Sequence, residues 1–247
     1  MKNMNDKLVD IKGIIFDYGG TLDTNGRHWS EVLWSQYVHT GVPVTKEIFR
    51  KAYVYGERTL ALEPLIKSHH NFYDVLFIKV GLHIDFLRKE GLLKTDDNEA
   101  LSWQKQIAGN CYAGVKEVMQ SSREVLEKLR MQHNLILVSN FYGNISEILA
   151  DFGLLCFFKE IIESSVVGVR KPDPAIFALG VNALGYEAGK IVVVGDSFSK
   201  DIQPARKVGC KTIWLKGEGW GEETDDAVPD FIITDLRQLL LLFEKDK

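Results

Sequence analysis

Four short, mainly apolar runs rich in β-branched residues constrain the fold of this chain more than any other feature. They read GIIF at 13–16, LILV at 135–138, IVVV at 191–194 and KTIWL at 211–215, and each is followed by a turn and a helical pattern. Apolar runs that alternate with helices predict a parallel sheet covered on both faces. The C-terminal FIITDLRQLLLLFEK repeats the pattern. We therefore expect an α/β protein with a doubly wound parallel sheet.

The segment from Asn25 to Ala113 has a different pattern. HWSEVLWSQYVHT, TKEIFRKAYVYGERTLALE and NFYDVLFIKVGLHIDFLRKEG carry aromatic and aliphatic residues at helical spacing, with almost no strand signal. We expect an all-helical cap domain at 25–113, inserted after the first strand, and a core domain formed by 1–24 and 114–247. A capping box at Ser121 and Glu124 predicts that a core helix begins there. Further along, GLLCFFKEI is expected to hold a helix end and a short segment, and PAIFALGVNALG a helix.

Composition excludes some function classes and favours a reducing compartment. Thirty Lys and Arg against 34 Asp and Glu give a net charge of -4, so the sequence offers no sign of a broad nucleic-acid or membrane surface. Cys111, Cys156 and Cys210 are widely spaced and form no C-x-x-C pair, which favours buried free thiols. Because the N-terminus lacks a signal-peptide pattern and no stretch is long enough to span a membrane, we expect a cytoplasmic protein.

Four polar clusters lie at or just beyond the predicted strands. They are Asp17 after GIIF, Ser139 and Asn140 after LILV, Lys171 in VRKPDP, and Asp196 and Asp201 in VVVGDSFSKD. The carboxyl ends of parallel strands share one edge of a sheet, so these groups are expected to converge. Carboxylates around a hard cation suit Mg²⁺ with phosphate oxygens as further ligands, and a carboxylate can also attack phosphorus. A hydroxyl and a fixed lysine charge provide the electrostatic help that phosphoryl transfer requires.

Taken in order, these clusters match the motifs of a known superfamily. FDYGGTLD, ILVSN, VRKPDP and VVVGDSFSKD resemble the four motifs of the haloacid dehalogenase (HAD) superfamily, over essentially the whole chain. The resemblance implies a Rossmann-like core with a helical cap after the first motif. It implies that Asp17 is the nucleophile and a metal ligand, together with the backbone carbonyl of Gly19 and the side chain of Asp196.

The resemblance also implies the surroundings of the nucleophile. Lys171 would be catalytic, and Asp201 would complete the metal set from the outer shell or orient Lys171. The implied phosphate-binding residues are Ser139, Asn140, Lys171, Gly20 and Thr21. Mg²⁺ is the implied cofactor, and the implied partner is a small phosphorylated metabolite, with no nucleic acid and no membrane.

Position 19 departs from the family pattern. Family phosphatases carry an Asp there, which protonates the leaving alkoxide and then activates water. Gly19 keeps a backbone carbonyl for a metal but has no acid/base group. General acid/base help is worth about 10²- to 10⁴-fold in rate, so the loss matters most for alkyl monoesters and least for acyl phosphates, aryl phosphates or anhydrides.

Three functions are compatible with this pattern. The first is a Mg²⁺-dependent phosphohydrolase or phosphotransferase acting through an aspartyl phosphate. The second is a phosphonatase-like C–P hydrolase, since relatives of that class carry Ala at the same position and use a cap lysine as a Schiff base. The cap lysines are Lys46, Lys51, Lys67, Lys79, Lys89, Lys94 and Lys105, and their spacing singles out none. The third is a catalytically weak phospholigand-binding or regulatory protein. Metal-free dehalogenation is disfavoured by the metal-binding form of GDSFSKD.

Overall fold

A six-stranded parallel sheet forms the centre of the molecule. The computed structural model describes residues 8, 10–217 and 229–243. The strands are β1 (Gly13–Phe16), β2 (Asn134–Ser139), β3 (Glu160–Glu163), β4 (Ile191–Gly195), β5 (Lys211–Leu215) and β6 (Phe231–Ile233), in the order β3-β2-β1-β4-β5-β6. Every neighbouring pair is parallel. The expected doubly wound α/β fold is confirmed.

Alternation along the strands divides the core between the two faces of the sheet. In β1, Ile14 and Phe16 join one hydrophobic cluster, whereas Ile15 joins another. All three side chains are fully buried. A strand buried on both faces has no polar face, which explains why these segments are continuously apolar in sequence.

Four helices separate β1 from β2. They are α1 (Trp29–Thr40), α2 (Lys46–Leu62), α3 (Phe72–Lys89) and α4 (Asp97–Leu129). Local capping explains their starts: Thr45 caps α2, Asn71 and Asp74 form a capping box on α3, and Asp96 caps α4. We call residues 25–113 the helical insertion. Its separation as a domain stays a prediction.

The expected helix start at Ser121 is wrong. α4 runs without interruption for 33 residues from Asp97, so Ser121 and Glu124 lie inside it. Val115, Met119 and Val125 continue the buried stripe that Trp103 begins. The capping pattern is overruled because the apolar periodicity on both sides of it belongs to one helix.

The second half of the chain follows the predicted alternation with two differences. Its α-helices are α5 (Ile145–Asp151), α6 (Ser164–Val167), α7 (Ala175–Leu184), α8 (Gln203–Lys207) and α9 (Leu239–Phe243), and a π-helix at Phe198–Ile202 precedes α8. GLLCFFKEI contains a 3₁₀ turn at Leu155–Phe157 and the start of β3, a strand that the sequence reasoning did not identify. Cys156 is exposed, contrary to expectation, because the turn directs Phe157 inward instead; Cys111 and Cys210 are buried as expected.

Among the described helices, none combines the length and the apolar character needed to cross a bilayer.

Candidate active site

The central strands β1 and β4 bring the first and fourth motifs together. Phe16 pairs with Val194, and the next amide, that of Asp17, donates to the Val194 carbonyl over 3.0 Å. Asp196 follows β4 directly, at the same edge of the sheet. Ser139 is buried at the end of β2, the neighbour of β1 on the other side. The predicted convergence at the carboxyl edge therefore occurs.

Lys171 is held between two carboxylates. Its Nζ lies 2.5 Å from Asp17 Oδ1 and 2.7 Å from Asp201 Oδ1, and the side chain is 3% exposed. The Asn140 side chain fixes the backbone of Lys171 from both sides, since Nδ2 donates to its carbonyl over 3.0 Å and Oδ1 accepts from its amide over 2.9 Å. Both polar groups of the Asn140 amide are thus engaged in positioning Lys171.

Burial and mutual repulsion dominate the electrostatics. Burial raises the pKa of Asp17 to about 6, with the Lys171 ammonium opposing the shift and the Asp201 carboxylate adding to it. Burial would lower the pKa of Lys171, but the charges of Asp17 and Asp201 hold it above its ordinary value. Burial, followed by the charges of Asp17 and Asp201, raises the pKa of Asp196 well above its usual range. With all three carboxyl groups ionised, the site would carry more negative charge than Lys171 balances, which adds to burial in raising the pKa values of Asp17 and Asp196.

The carboxylates fit a divalent cation. Asp17, Asp196 and Asp201 each offer one oxygen, and the three oxygens lie within 4.8 Å of one another. Both oxygens of Asp201 have protein partners, since Lys171 donates to its Oδ1 and the Ser197 amide donates to its Oδ2 over 3.1 Å. Oxygen donors with unbalanced negative charge are what Mg²⁺ requires.

Thr21 ties the first motif to the fourth. Its hydroxyl lies 3.2 Å from Asp17 Oδ2 and 3.3 Å from Asp196 Oδ1, and it accepts from the Asp196 amide over 3.1 Å. The side chain is fully buried. Its hydrogen bonds therefore hold the carboxylates of Asp17 and Asp196 in place, a role that the sequence did not reveal.

The two glycines of the first motif differ in the space around them. Gly20 has φ +95°, and a Cβ at that position would collide with the carboxylate of Asp196. Gly19 faces the cavity, and no described atom lies within 4 Å of the place that a Cβ would take. Gly20 is thus required by the backbone, whereas position 19 has room for a side chain.

Asp23 is a buried carboxyl group that sequence reasoning missed. Its Oδ1 accepts from the Gly20 amide over 2.7 Å and its Oδ2 from Trp29 Nε1 over 2.8 Å. Burial raises the pKa of Asp23 to about 7, although both hydrogen bonds oppose the shift. The residue joins the turn after β1 to the start of α1. Its place within FDYGGTLD was the only available signal.

The helical insertion and the carboxyl edge of the sheet together line a cavity of 720 Å³ that opens to solvent. On the insertion side the cavity is lined by Glu57 from α2 and Lys79 from α3. Lys79 Nζ lies 2.6 Å from Glu57 Oε1. Lys79 also lies under the Tyr142 ring, 6.0 Å from its centroid. Among the seven insertion lysines, all in the described part of the chain, Lys79 is the buried one.

One cavity thus gathers nearly all of the predicted site residues. Those that line it are Asp17, Gly19, Gly20, Ser139, Asn140, Lys171, Asp196 and Asp201. Thr21 lies immediately behind them, bonded to two of the carboxylates. Glu57 and Asp23 are additional polar residues of the lining.

Comparison with known proteins points to one family. The sequence model of the haloacid dehalogenase-like hydrolases matches residues 11–209. A glyceraldehyde 3-phosphate phosphatase from Methanocaldococcus jannaschii is 26% identical over 93% of this chain and 96% of its own length. A phosphoserine phosphatase from Thermus thermophilus is 35% identical over 108 residues, a stretch that covers only 43% of each chain.

Solved structures share the fold at low sequence identity. A dehalogenase structure with an intermediate complex has a TM-score of 0.67 at 17% identity, covering 97% of this chain and 100% of its own. The HAD-hydrolase YfnB from Bacillus subtilis, bound to magnesium, has a TM-score of 0.57 at 18% identity and covers 94% of this chain and 98% of its own.

Proposed function

Because this chain belongs to the haloacid dehalogenase-like hydrolases, we propose that it is a Mg²⁺-dependent phosphohydrolase or phosphotransferase that acts on a small phosphorylated metabolite through Asp17. The observation that carries the proposal is the placement of Asp17 at the end of β1, with Lys171 2.5 Å from one of its oxygens and Asp196 beside it. The phosphatase names of the relatives support the same reaction class.

Asp17 is the proposed nucleophile. One carboxylate oxygen attacks phosphorus, the bond from phosphorus to the leaving oxygen breaks, and an aspartyl phosphate forms. Lys171 holds the carboxylate in place and balances charge on the phosphoryl oxygens, while the Ser139 hydroxyl donates to one of them. In hydrolysis a water then attacks phosphorus, and in transfer an acceptor hydroxyl does so. The bond from phosphorus to Asp17 breaks, the carboxylate is released, and the proton of the attacking group passes to solvent or to the phosphate formed.

The metal assignment rests on the carboxylate geometry. Asp17 and Asp196, with the carbonyl of Gly19, would hold Mg²⁺, and Asp201 would act from the outer shell or orient Lys171, whose Nζ lies 2.7 Å from its Oδ1. A bound Mg²⁺ would neutralise the excess negative charge of the site and that of the phosphate oxygens. A structure of similar fold that contains magnesium is consistent with this assignment.

Gly19 sets the range of substrates that turn over rapidly. A leaving group that needs a proton in the transition state loses the help of a carboxylic acid at this position, worth about 10²- to 10⁴-fold. Acyl phosphates, aryl phosphates and anhydrides need that proton least. We therefore expect hydrolysis of these substrates to exceed that of alkyl monoesters by a wider margin than in relatives with Asp at this position.

The contacts of Lys79 weigh against the Schiff-base alternative. Lys79 is the insertion lysine best placed for it, since it lines the cavity. Burial would lower its pKa, but the Glu57 carboxylate 2.6 Å away raises it above the ordinary value. An ammonium held in this state has no lone pair for attack on a carbonyl. Borohydride treatment with a phosphonate substrate should therefore leave the enzyme active.

Comparing the wild type with Asp17→Asn tests the proposal. Both proteins would be assayed with Mg²⁺ against an aryl, an acyl and an alkyl phosphate. We expect aryl and acyl phosphates to be hydrolysed by the wild type and the Asn variant to lose at least about 10³-fold in kcat/KM, because the amide is a poor nucleophile.

Two outcomes would favour the alternatives. Equal rates for wild type and variant on every substrate would overturn the enzymatic proposal. Tight binding of phosphate esters without turnover would favour a phospholigand-binding protein. A further measurement, mass spectrometry of acid-quenched protein, should find one phosphoryl group on the wild type and none on Asp17→Asn.

A further inference from the structure

We propose that Glu57 and Lys79 form the recognition site for the leaving group, and that this group presents a hydrogen-bond donor and an acceptor side by side with no net charge beyond the phosphate. The proposal rests on the proposed function, and it assigns the substrate class. Both residues line the cavity that contains Asp17, but they come from the helical insertion, so they face the part of a substrate beyond its phosphate.

The geometry of the pair leaves hydrogen-bonding capacity for a ligand. Lys79 Nζ and Glu57 Oε1 lie 2.6 Å apart, and the side chains are 10% and 37% exposed. An ammonium has three donors and a carboxylate has about four acceptor sites, so the ion pair and the additional contact between Lys79 and Tyr142 leave unused capacity on both groups. Since both residues line the cavity, a ligand there can complete the hydrogen bonding of both.

Stability alone is a poor explanation for this pair. Removing two charges from water costs about as much as their attraction returns, and apolar residues of the same volume often stabilise a protein equally well or better. An ion pair that lines a cavity next to a nucleophile is better explained by what it binds.

The charges of Glu57 and Lys79 define the kind of group that fits against this pair. The Lys79 ammonium lowers the pKa of Glu57 against the opposing effect of burial, so both members are charged near neutral pH. The pair is neutral as a unit, and Glu57 is its more exposed member. A second anionic group on the substrate would meet the Glu57 carboxylate as well as the ammonium. A neutral group with both a donor and an acceptor satisfies both members without repulsion.

Two leaving groups share this chemistry. Neighbouring hydroxyls of a polyol can donate to Glu57 and accept from Lys79. The ammonium and carboxylate of an α-amino acid can do the same with full charges. A leaving group that carries only a carboxylate cannot, and neither can an unsubstituted phenyl group.

Binding to catalytically silent protein tests this assignment. Calorimetry on Asp17→Asn with Mg²⁺ would compare glycerol 3-phosphate, O-phosphoserine, phosphoglycolate and phenyl phosphate. We expect at least one of the first two to bind at least about tenfold more tightly than the other two, because hydrogen bonds to charged groups contribute that much to affinity. The polyol and the amino acid are thereby distinguished as sources.

A double substitution identifies the residues responsible without leaving an unpaired charge. Adding Glu57→Gln and Lys79→Met should remove that preference, while phenyl phosphate binding changes less than about twofold. The matched control is Glu47→Gln with Lys51→Met, an exposed pair on the same helix α2 with 3.9 Å between its charged atoms. It should leave all four affinities unchanged.

Failure of this inference is distinct from failure of the proposed function. Tightest binding of phosphoglycolate, an equal effect of the double substitution on all four ligands, or no binding of any ester would overturn the recognition site. If binding depends on the pair but wild type and Asp17→Asn hydrolyse nothing differently, only the proposed function fails. If hydrolysis depends on Asp17 and the pair has no effect on selectivity, only the recognition site fails.

Discussion

The two sides of the cavity each contain one buried lysine, and the two lysines are held differently. Lys171 on the core side contacts two carboxylates, and its backbone is fixed by Asn140. Lys79 on the insertion side contacts one carboxylate, that of Glu57, which is 37% exposed in its side chain. The first arrangement suits a group that must hold one geometry, and the second suits a group that accepts a ligand. The contrast agrees with the two proposals above, which assign phosphate chemistry to the core side and recognition of the leaving group to the insertion side.

The largest expected effect on activity comes from removing the lysine of the core side. Lys171→Met should lower kcat/KM by at least about 10³-fold on every substrate, because it removes the cation and leaves Asp17 and Asp201 facing each other. The measurement is steady-state kinetics with Mg²⁺. Lys190→Met is the control, since 42% of that side chain is exposed and the carboxylate oxygen it pairs with, on Asp10, is 3.6 Å away. A loss confined to a few substrates would place Lys171 in recognition instead.

The insertion side contains a histidine whose environment makes stability depend on pH. His83 is fully buried against Gly56, and neither ring nitrogen has a hydrogen-bond partner among the described residues. Burial, reinforced by the Lys79 charge, lowers its pKa to about 3, although Glu57 opposes the shift. The unfolded chain binds this proton below about pH 6.5 and the folded chain does not, so stability falls as pH falls from 6.5 toward 3.

Replacing His83 with Phe should flatten that pH dependence. Between pH 7 and pH 5 the wild type should lose about 2 kcal/mol of unfolding free energy through this group, and His83→Phe should lose correspondingly less. Urea unfolding at both pH values measures the difference. His39→Gln is the control because His39 is exposed on α1. Identical slopes for the wild type and the Phe variant would mean that His83 is accessible to protons in the folded state.

A carboxyl group at position 19 tests whether the core side lacks only an acid/base group. Gly19→Asp should raise alkyl phosphomonoesterase activity at least tenfold, within the range of acid/base catalysis, because the site has room for the side chain. Aryl phosphates should gain much less. Gly20→Ala should instead lose activity, since its Cβ collides with the Asp196 carboxylate. No gain for Gly19→Asp on any alkyl ester would mean that another group already supplies the proton.

The smallest expected effect comes from the exposed pair on α2. Glu47→Gln with Lys51→Met should change the unfolding free energy by less than about 0.5 kcal/mol, because solvated ion pairs contribute little. Chemical denaturation checks this value. A larger loss would show that charge on this helix stabilises the insertion independently of the cavity.

The core side was largely predictable from sequence, and the insertion side was not. Continuous apolar strands reveal a parallel sheet, and the ends of its strands must share an edge, so Asp17, Ser139 and Asp196 could be placed together. The carboxyl group of Asp23 and the partner of Lys79 could not be found this way. Their roles depend on how α1, α2 and α3 pack over the sheet, and no local pattern encodes the distance between two helices.

The difference also explains the error at Ser121. A capping box is a local signal worth about 1 kcal/mol, whereas the buried stripe of α4 is stabilised by tertiary packing over its whole length. A capping box therefore does not start a new helix where the apolar periodicity of a longer helix continues on both sides of it.

The continuity of α4 has a consequence for exchanging parts between relatives. Gln104 of this helix donates to the Phe77 carbonyl of α3 over 2.8 Å, and Ser122 of the same helix donates to the Leu22 carbonyl beside the site over 2.7 Å. If the helical insertion of a relative replaced residues 25–113, the junction between residues 113 and 114 would fall in the middle of α4, a helix about 50 Å long. The two halves of the joined helix would need to keep the rotation about the helix axis that they have in α4. Otherwise the hydrogen bond of Gln104 or that of Ser122 would be lost. We therefore expect an exchange of helical insertions between relatives to give folded proteins only when the whole of α4 is exchanged with the insertion.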